Sequence, residues 1–192
     1  MSDTHTVVLV EGVSDKSAIE ALAERRGRHL ASEGISVVAM GGATNIGTYV
    51  SKFGPTGHNL RLTGLCDAGE ESDFRKVLER AGLGSNLDRN DLETLGFFVC
   101  VADLEDELIR ALGTATVETV IDAEGELGSF RTLQKQPAWR DGTPHDQLRR
   151  FMGSGSGRKI RYAGLLAAAL DHDRVPRPLD LLMTRLLGSR TR

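Results

Sequence analysis

Short apolar runs alternate with helical segments over the first half of the chain, and this alternation limits the possible folds more than any other sequence feature. The runs are Thr6–Val10, Ile35–Met40, Leu60–Cys66 and Leu95–Val101. They are short and rich in β-branched residues, which predicts buried parallel strands. The helical segments between them predict a parallel sheet with helices on both faces. Residues 83–91 are predicted to form a loop.

Most of the predicted strands end at an acid. Glu11 follows the first strand, Asp67 the third and Asp103 the fourth, whereas the second is followed by Gly41-Gly42. Ligands of open α/β sheets bind beyond the carboxyl ends of the strands. If these strands are neighbours, the acids therefore meet at one edge of the sheet.

Converging carboxylates repel each other and are tolerated chiefly where cations neutralise them. A set of oxygen donors without Cys or His favours Mg²⁺, Mn²⁺ or Ca²⁺. One or two such ions can polarise a phosphate and activate a water molecule. The pattern therefore indicates a metal site suited to phosphate chemistry.

Further acids lie beside the strand ends. Asp15 falls on the first turn of the helix after Glu11, and Glu105 and Asp106 come just after Asp103. Each has a simpler interpretation, because acids are favoured electrostatically at helix N-termini. Both interpretations stay open at this level.

The second half of the chain is predicted to be helical and basic. Residues 1–130 contain 11 Lys/Arg and 22 Asp/Glu, whereas residues 131–192 contain 13 and 5. The basic part could meet phosphates, or the two halves could simply attract each other. We expect an α/β domain over residues 1–112 with a basic helical extension, residues 113–192, packed on it. The helices predicted after the last strand are residues 104–112, which end the α/β domain, and residues 117–123, 127–134, 145–152, 159–171 and 179–187 of the extension.

The two cysteines favour a cytoplasmic protein. Cys66 and Cys100 lie in apolar runs without a CxxC pair, which predicts reduced and buried thiols. No secretory signal is recognised before the first strand. No apolar stretch approaches the roughly 20 residues of a membrane span, so no membrane partner is expected.

Four segments together resemble the TOPRIM domains of OLD-family (overcoming lysogenisation defect) nucleases. In chain order they are Val7–Lys16, Gly34–Gly42, Leu65–Asp67 and Asp103–Leu108. Each is short, and the resemblance rests on their order and their placement at successive strand ends. It implies a TOPRIM-like, Rossmann-like α/β fold with a central parallel sheet of about four strands. It also implies Mg²⁺- or Mn²⁺-dependent phosphoryl transfer on nucleic acid, most specifically DNA endonuclease or nickase activity.

The resemblance implies roles for individual acids. Glu11 matches the invariant glutamate, which is a metal ligand or general acid/base, and Asp67 matches the first Asp of a DxD motif. Both are therefore also catalytic candidates. The metal ligands implied are Glu11, Asp15, Asp67, Asp103, Glu105 and Asp106.

The DxD motif is incomplete in this chain. Gly69 stands in place of the second Asp, and Glu70 or Glu71 could reach the same ion with a longer side chain. This departure leaves catalytic competence open. It also keeps a non-catalytic nucleic-acid-binding or scaffold module as an alternative, beside a nucleotidyltransferase or phosphatase acting on a small nucleotide.

A weaker similarity in the C-terminal part suggests contacts to nucleic acid. Lys159 could match a basic catalytic residue that stabilises the phosphate, and Arg158, Lys159 and Arg161 are candidates for nucleic-acid binding. A solvated helix start explains them equally well. Three aromatic residues could stack on bases, although aromatic side chains more often belong to the core: Phe130, Trp139 and Phe151.

The expected partners follow from the same resemblance. The substrate would be DNA or another nucleic acid. OLD proteins usually carry an ATPase domain before the TOPRIM domain, and this sequence contains no GxxxxGK[ST] loop. We therefore expect a TOPRIM unit without that domain, possible association with a separately encoded ATPase, and a possible homodimer.

Overall fold

The chain forms a four-stranded parallel sheet covered by helices, as the computed structural model shows for residues 4–155 and 157–188. The strand order is β2-β1-β3-β4, and all three pairings are parallel. Glu11 and Asp67 therefore end neighbouring strands. The predicted α/β fold is confirmed. The strands are β1 Thr6–Val10, β2 Ile35–Ala39, β3 Arg61–Asp67 and β4 Phe97–Cys100.

Four α-helices lie between or beside the strands in the described part of the first half of the chain, from residue 4 onward. The segment predicted as a loop at residues 83–91 is only partly one, because a helix begins at Arg89. Asp88 caps it: its Oδ1 accepts from Asp91 N at 2.9 Å, and Asp88 N donates back to Asp91 Oδ2 at 2.9 Å. Such a reciprocal cap satisfies two otherwise unpaired amides. The helices are α1 Val13–Arg25, α2 Ile46–Phe53, α3 Glu71–Arg80 and α4 Arg89–Leu95.

Six α-helices follow the last strand within residues 101–155 and 157–188, as the sequence predicts. Gly113 is the single residue between α5 and α6, so the expected domain boundary at residues 112 and 113 coincides with a helix junction. The division into two domains stays a prediction. Among the described helices, none has the length and apolar character needed to cross a membrane. The helices are α5 Leu104–Leu112, α6 Thr114–Ala123, α7 Leu127–Gln134, α8 Pro144–Met152, α9 Arg158–Ala169 and α10 Arg177–Leu187.

The sheet separates two apolar cores. Val8 and Val10 of β1 face a core shared with α1 and α5–α10, whereas Val7 and Leu9 face a core shared with α2–α4. The alternation follows from the two-residue period of a strand. Both sets are fully buried or nearly so, as expected for a central strand of a doubly covered sheet.

The C-terminal helices share the larger of these cores with the sheet. Helix α9 runs along α1 so closely that a Cβ at Gly164 would lie 2.7 Å from Ser17 Oγ. Tyr162 and Leu166 of α9 are buried in the same cluster as Ile19 of α1. This packing fixes the first turn of α9 beside the start of α1, which follows the first strand-end acid.

Both cysteines are buried with free thiols, as predicted. Cys66 belongs to the smaller core and Cys100 to the larger, on opposite faces of the sheet. Burial raises the pKa of the Cys66 thiol to about 12 and also raises the pKa of Cys100. Neither thiol is therefore a nucleophile at neutral pH.

Candidate metal centre

Three carboxylates meet at the carboxyl edge of the sheet, and we call them the carboxylate triplet. They are Glu11, just after β1, Asp67, the last residue of β3, and Glu70, in the turn before α3. One carboxylate oxygen of each lies within 4.8 Å of the other two. The turn is held by Glu70 N, which donates to Asp67 O at 2.9 Å. The strand order therefore brings together two acids that lie 56 positions apart in the sequence.

The glycine pair after β2 holds the backbone of the triplet. The amides of Gly41 and Gly42 both donate to Glu11 O, at 2.9 and 3.1 Å. Gly41 has φ +73° and Gly42 has φ +129°, and residues with a Cβ rarely adopt such backbone angles. Asn45 closes the turn, since its Nδ2 donates to Met40 O at 2.9 Å. The pair thus supplies positioning rather than charge.

The triplet is electrostatically strained. Burial raises the pKa of Asp67 to about 7, and repulsion from Glu70, Asp15, Asp103 and Glu11 adds to the effect. Burial, and then the charge of Glu11, also raise the pKa of Glu70. Crowded carboxylates either take up protons or bind a cation. At neutral pH the group is therefore poised to exchange protons for a metal ion.

The donor atoms of the triplet fit a divalent cation. Glu70 Oε2 is buried, and within the described residues no hydrogen-bond partner reaches it. A buried polar atom without a partner costs roughly 1–3 kcal/mol, which a cation would relieve. All donors are hard oxygens, the type that Mg²⁺ and Mn²⁺ prefer. These residues can therefore hold such an ion.

The two candidate substitutes for the missing DxD aspartate are placed differently. Glu70 belongs to the triplet, whereas Glu71 is buried at the start of α3 and forms ion pairs with Arg75 and Arg89. The hydrogen bond from Arg89 lowers the pKa of Glu71. A Cβ built at Gly69 has no atom within 4 Å, so the vacant DxD position has room for a side chain.

Asp15 interacts electrostatically with the triplet and with the acids that follow β4. Its Oδ2 accepts from Gly12 N at 2.8 Å, which fixes the side chain at the start of α1. Burial raises its pKa against the effect of that hydrogen bond, and the charges of Glu11 and Asp103 raise it further. Asp15 therefore lies within electrostatic range of both groups of acids.

The acids after β4, unlike the triplet, are paired with basic side chains. Asp103 caps α5 through Oδ1, which accepts from Asp106 N at 2.8 Å, and its Oδ2 is paired with Arg149. Glu105 is buried, and its Oε1 lies 3.2 Å from Lys159 Nζ. Burial raises the pKa of Glu105, and the Lys159 charge opposes this shift. We call Asp103, Glu105, Arg149 and Lys159 the paired group.

Asp106 has its own partners. Its Oδ2 lies 2.8 Å from Arg110 Nε, and its Oδ1 lies 3.2 Å from His145 Nε2. The neighbouring Glu107 is buried and accepts a hydrogen bond from Val101 N at 2.9 Å. These contacts fasten α5 to the end of β4 and to α8. The metal-binding role implied for Asp106 stays a prediction.

Two of the predicted nucleic-acid-binding residues take part in a local ion-pair network. Arg158 Nη2 lies 3.1 Å from Glu126 Oε1, and Arg161 Nη2 lies 2.6 Å from Glu126 Oε2. Tyr162 also donates to Glu126, at 2.7 Å. These bonds, that of Arg158 first, lower the pKa of Glu126 to about 2. Nucleic-acid binding by Arg158 and Arg161 stays a prediction, whereas Lys159 faces the acids.

The aromatic candidates lie in or against the core. Phe130 and Phe151 are buried with their ring centroids 5.3 Å apart, and Trp139 is partly buried against the same cluster. The two phenylalanines therefore cannot stack on bases, and the simpler of the two interpretations is confirmed for them.

Arg149 is the candidate that the sequence interpretation missed. It lies on the helix predicted at residues 145–152, next to Arg150, and nothing in that segment distinguishes one arginine from the other. Only the packing of α8 beside α5 places Arg149 on Asp103. A small cleft is lined by these two residues together with Glu105, Gly153 and Lys159.

Known proteins resemble this chain in both sequence and structure. Residues 4–67 match the family described as overcoming lysogenization defect protein-like, TOPRIM domain. The C-terminal region of the Burkholderia pseudomallei OLD protein shares the fold, with a TM-score of 0.72, 24% identity, and coverage of 95% of this chain and 97% of that one. The C-terminal region of the Xanthomonas campestris pv. campestris OLD protein is 27% identical, with a TM-score of 0.73 and coverage of 95% and 92%. Among curated proteins, none matches this chain.

Proposed function

We propose that this chain, which carries an OLD-like TOPRIM domain in residues 4–67, cleaves the phosphodiester backbone of nucleic acid with the help of a divalent metal ion. DNA is the proposed substrate, and nicking or endonucleolytic cleavage is the proposed reaction. The observation that carries this proposal is the carboxylate triplet, whose oxygens lie within 4.8 Å of one another. A cluster of oxygen donors in which burial raises the pKa of Asp67 and of Glu70 is suited to Mg²⁺ or Mn²⁺.

The residues around this edge have separable roles in the proposed reaction. Glu11, Asp67 and Glu70 hold the ion at the tips of β1 and β3. When bound, the ion supplies Lewis-acid stabilisation of phosphate charge and makes a coordinated water more acidic. Lys159 brings positive charge close to Glu105, where it offsets charge on a phosphate. Asp15 extends the negative field of the triplet toward α5.

The proposal is tested by following conversion of supercoiled plasmid to nicked and linear forms with Mg²⁺ or Mn²⁺. Glu11→Gln and Asp67→Asn are each expected to lose at least about 100-fold in rate, the scale of removing a central catalytic group. Glu24→Gln, on an exposed position of α1, is the matched control. Cleavage that persists in both site variants, or in EDTA, would reject the assignment.

A non-catalytic nucleic-acid-binding module is the second candidate. The specific observation that favours it is Gly69, which replaces the second Asp of the DxD motif. Such a module would bind oligonucleotides without turnover under every metal condition. Gly69→Asp separates the candidates, because the position is sterically open. If this variant cleaves DNA and the wild type does not, the wild type is a binding module that has lost one metal ligand.

A further inference from the structure

A small cleft, whose Asp103 lies within electrostatic range of Asp67 in the triplet, is lined by two basic and two acidic side chains. Arg149 reaches it from α8 and Lys159 from the first turn of α9, while Asp103 and Glu105 come from the start of α5. The Arg149 side chain is 37% exposed and that of Lys159 is 56% exposed, although both are ion-paired. Both cations can therefore reach a ligand in solvent without moving a helix.

We infer that Arg149 is a phosphate-binding residue, which with Lys159 grips the sugar–phosphate backbone of nucleic acid next to the carboxylate triplet. The inference rests on the proposed function for its substrate class. The guanidinium is a planar fork of donors that suits two phosphate oxygens at once. The Lys159 ammonium, which lines the same cleft, complements it as a point charge.

The hydrogen bonding of Asp103 allows Arg149 to exchange its ion pair with Asp103 for a contact with phosphate. Asp103 Oδ1 caps α5 by accepting from Asp106 N at 2.8 Å, and the other oxygen, Oδ2, faces Arg149. If Arg149 turns to a phosphate, the helix cap stays intact. The pair is only partly buried, and solvent screening limits what such a pair contributes to stability. The Arg149–Asp103 pair is therefore suited to being exchanged for a ligand.

The other C-terminal arginines near this face are committed elsewhere. Arg158 and Arg161 share Glu126, and Arg158 also donates to Ser154 O at 2.5 Å. Arg150, next to Arg149 on α8, lies over the Trp139 ring at 5.6 Å. Arg149 is thus the arginine that lines the cleft of the paired group, and Arg150 offers a control with the same charge on the same helix.

The test is the affinity of the full chain for a fluorescein-labelled DNA oligonucleotide in Ca²⁺, measured by anisotropy over a range of salt concentrations. Arg149→Gln is expected to lose about tenfold in affinity and to lower the salt slope by about one phosphate contact. Arg150→Gln should stay within about twofold of wild type, and Arg149→Lys should fall between the two. Equal affinities of Arg149→Gln and Arg150→Gln would overturn the inference.

Two further readouts separate this inference from a structural role and from the proposed catalysis. Asp103→Asn keeps a capping side chain and frees Arg149, so it should raise affinity in the wild type and not in the Arg149→Gln background. An equal rise in both backgrounds would contradict the inference, as would a wild type that does not bind DNA. If binding depends on Arg149 while no condition gives cleavage, the inference stands and the nuclease proposal alone fails.

Discussion

Two groups of acids lie at the same sheet edge, and their negative charges are compensated in different ways. In the paired group, Asp103 and Glu105 each face a basic side chain. In the carboxylate triplet, no ion pair is found for Glu11, Asp67 or Glu70 within residues 4–155 and 157–188. The charge of a carboxylate paired with a basic side chain is neutralised inside the protein, whereas an unpaired cluster keeps its negative charge for a cation from solution.

This difference in charge compensation follows from the chain segments that surround each group of acids. The paired group lies at the start of α5, where α8 and α9 of the basic C-terminal part pack close by. The triplet lies between β1, β3 and the turn before α3, all within the acidic part of the chain. The acidic first part and the basic last part of the sequence thus give two different sites. In the part of the chain that the structure describes, the triplet lacks basic partners, whereas the paired group has them.

The strongest contrast is between Glu70 and Glu71. Glu70→Gln removes a triplet oxygen and is expected to weaken Mn²⁺ binding by about 10- to 100-fold, at least the loss seen when a supporting residue is removed from a metal site. Glu71→Gln should leave the Mn²⁺ affinity of the folded protein unchanged, because its carboxylate is held by Arg75 and Arg89. Titration calorimetry of both variants measures this. Equal losses would remove the distinction between the two neighbours.

Restoring the DxD aspartate should compensate for the loss of Glu70. Gly69→Asp places a carboxylate in open space, so the Glu70→Gln, Gly69→Asp double variant is expected to recover most of the Mn²⁺ affinity. Gly69→Asn in the same background is the uncharged control and should recover little. No difference between Asp and Asn at residue 69 would show that this position does not face the ion.

The pKa of Asp67 predicts how stability and metal binding depend on pH. Because the folded pKa of about 7 exceeds the ordinary 3.8, the folded state holds the proton more tightly, and metal-free stability from this group falls as pH rises between these values. Metal ions compete with that proton. The rise in melting temperature caused by Mg²⁺ should therefore be larger at pH 8 than at pH 6, as measured by calorimetry. Asp67→Asn should remove this dependence.

Glu71 is expected to contribute to the stability of the fold rather than to metal binding. Its buried carboxylate neutralises Arg75 and Arg89 at the start of α3, and Glu71→Gln is expected to lower the free energy of unfolding by about 1–3 kcal/mol. Urea denaturation measures this change, with the exposed Asp73→Asn as a control. The loss should shrink in an Arg89→Gln background. Full additivity of the two substitutions would show that the pair is not coupled.

The smallest effect is expected at Glu126. Glu126→Gln should cost about 1 kcal/mol, because its partners Arg158 and Arg161 are partly exposed and screened. Since the folded pKa is about 2 against an ordinary 4.5, this stability is present above pH 4.5 and is lost as the pH falls toward 2. Acid denaturation of the variant and the wild type measures it. An unchanged pH midpoint of acid denaturation would contradict a stabilising role for this ion-pair network.

The sequence predicts the sheet edge well because few physical rules determine it. Two apolar runs of strand length that end at Glu11 and Asp67 place these acids at one edge once the strands are parallel neighbours. The helix α4 was also within reach, since Asp88 and Asp91 have the spacing of a reciprocal cap. The segment around this cap is polar and rich in turn residues, which favours a loop and outweighs the capping signal.

The remainder depends on packing that the sequence does not reveal. Glu70 and Glu71 are adjacent and identical, and their roles separate only because α3 begins at Glu71 and turns its side chain toward Arg89. Arg149 and Arg150 are separated in the same manner by the docking of α8. One helical step of about 100° decides which of two like neighbours reaches the site.

The central claim is that carboxylates from two strand tips and the following turn share one divalent ion. Mn²⁺ titration followed by electron paramagnetic resonance tests it directly on wild type, Glu11→Gln and Asp67→Asn. We predict that wild type binds Mn²⁺ and that each single substitution abolishes the tightest binding event while the circular dichroism spectrum stays unchanged. Undiminished Mn²⁺ binding in both folded variants would contradict it.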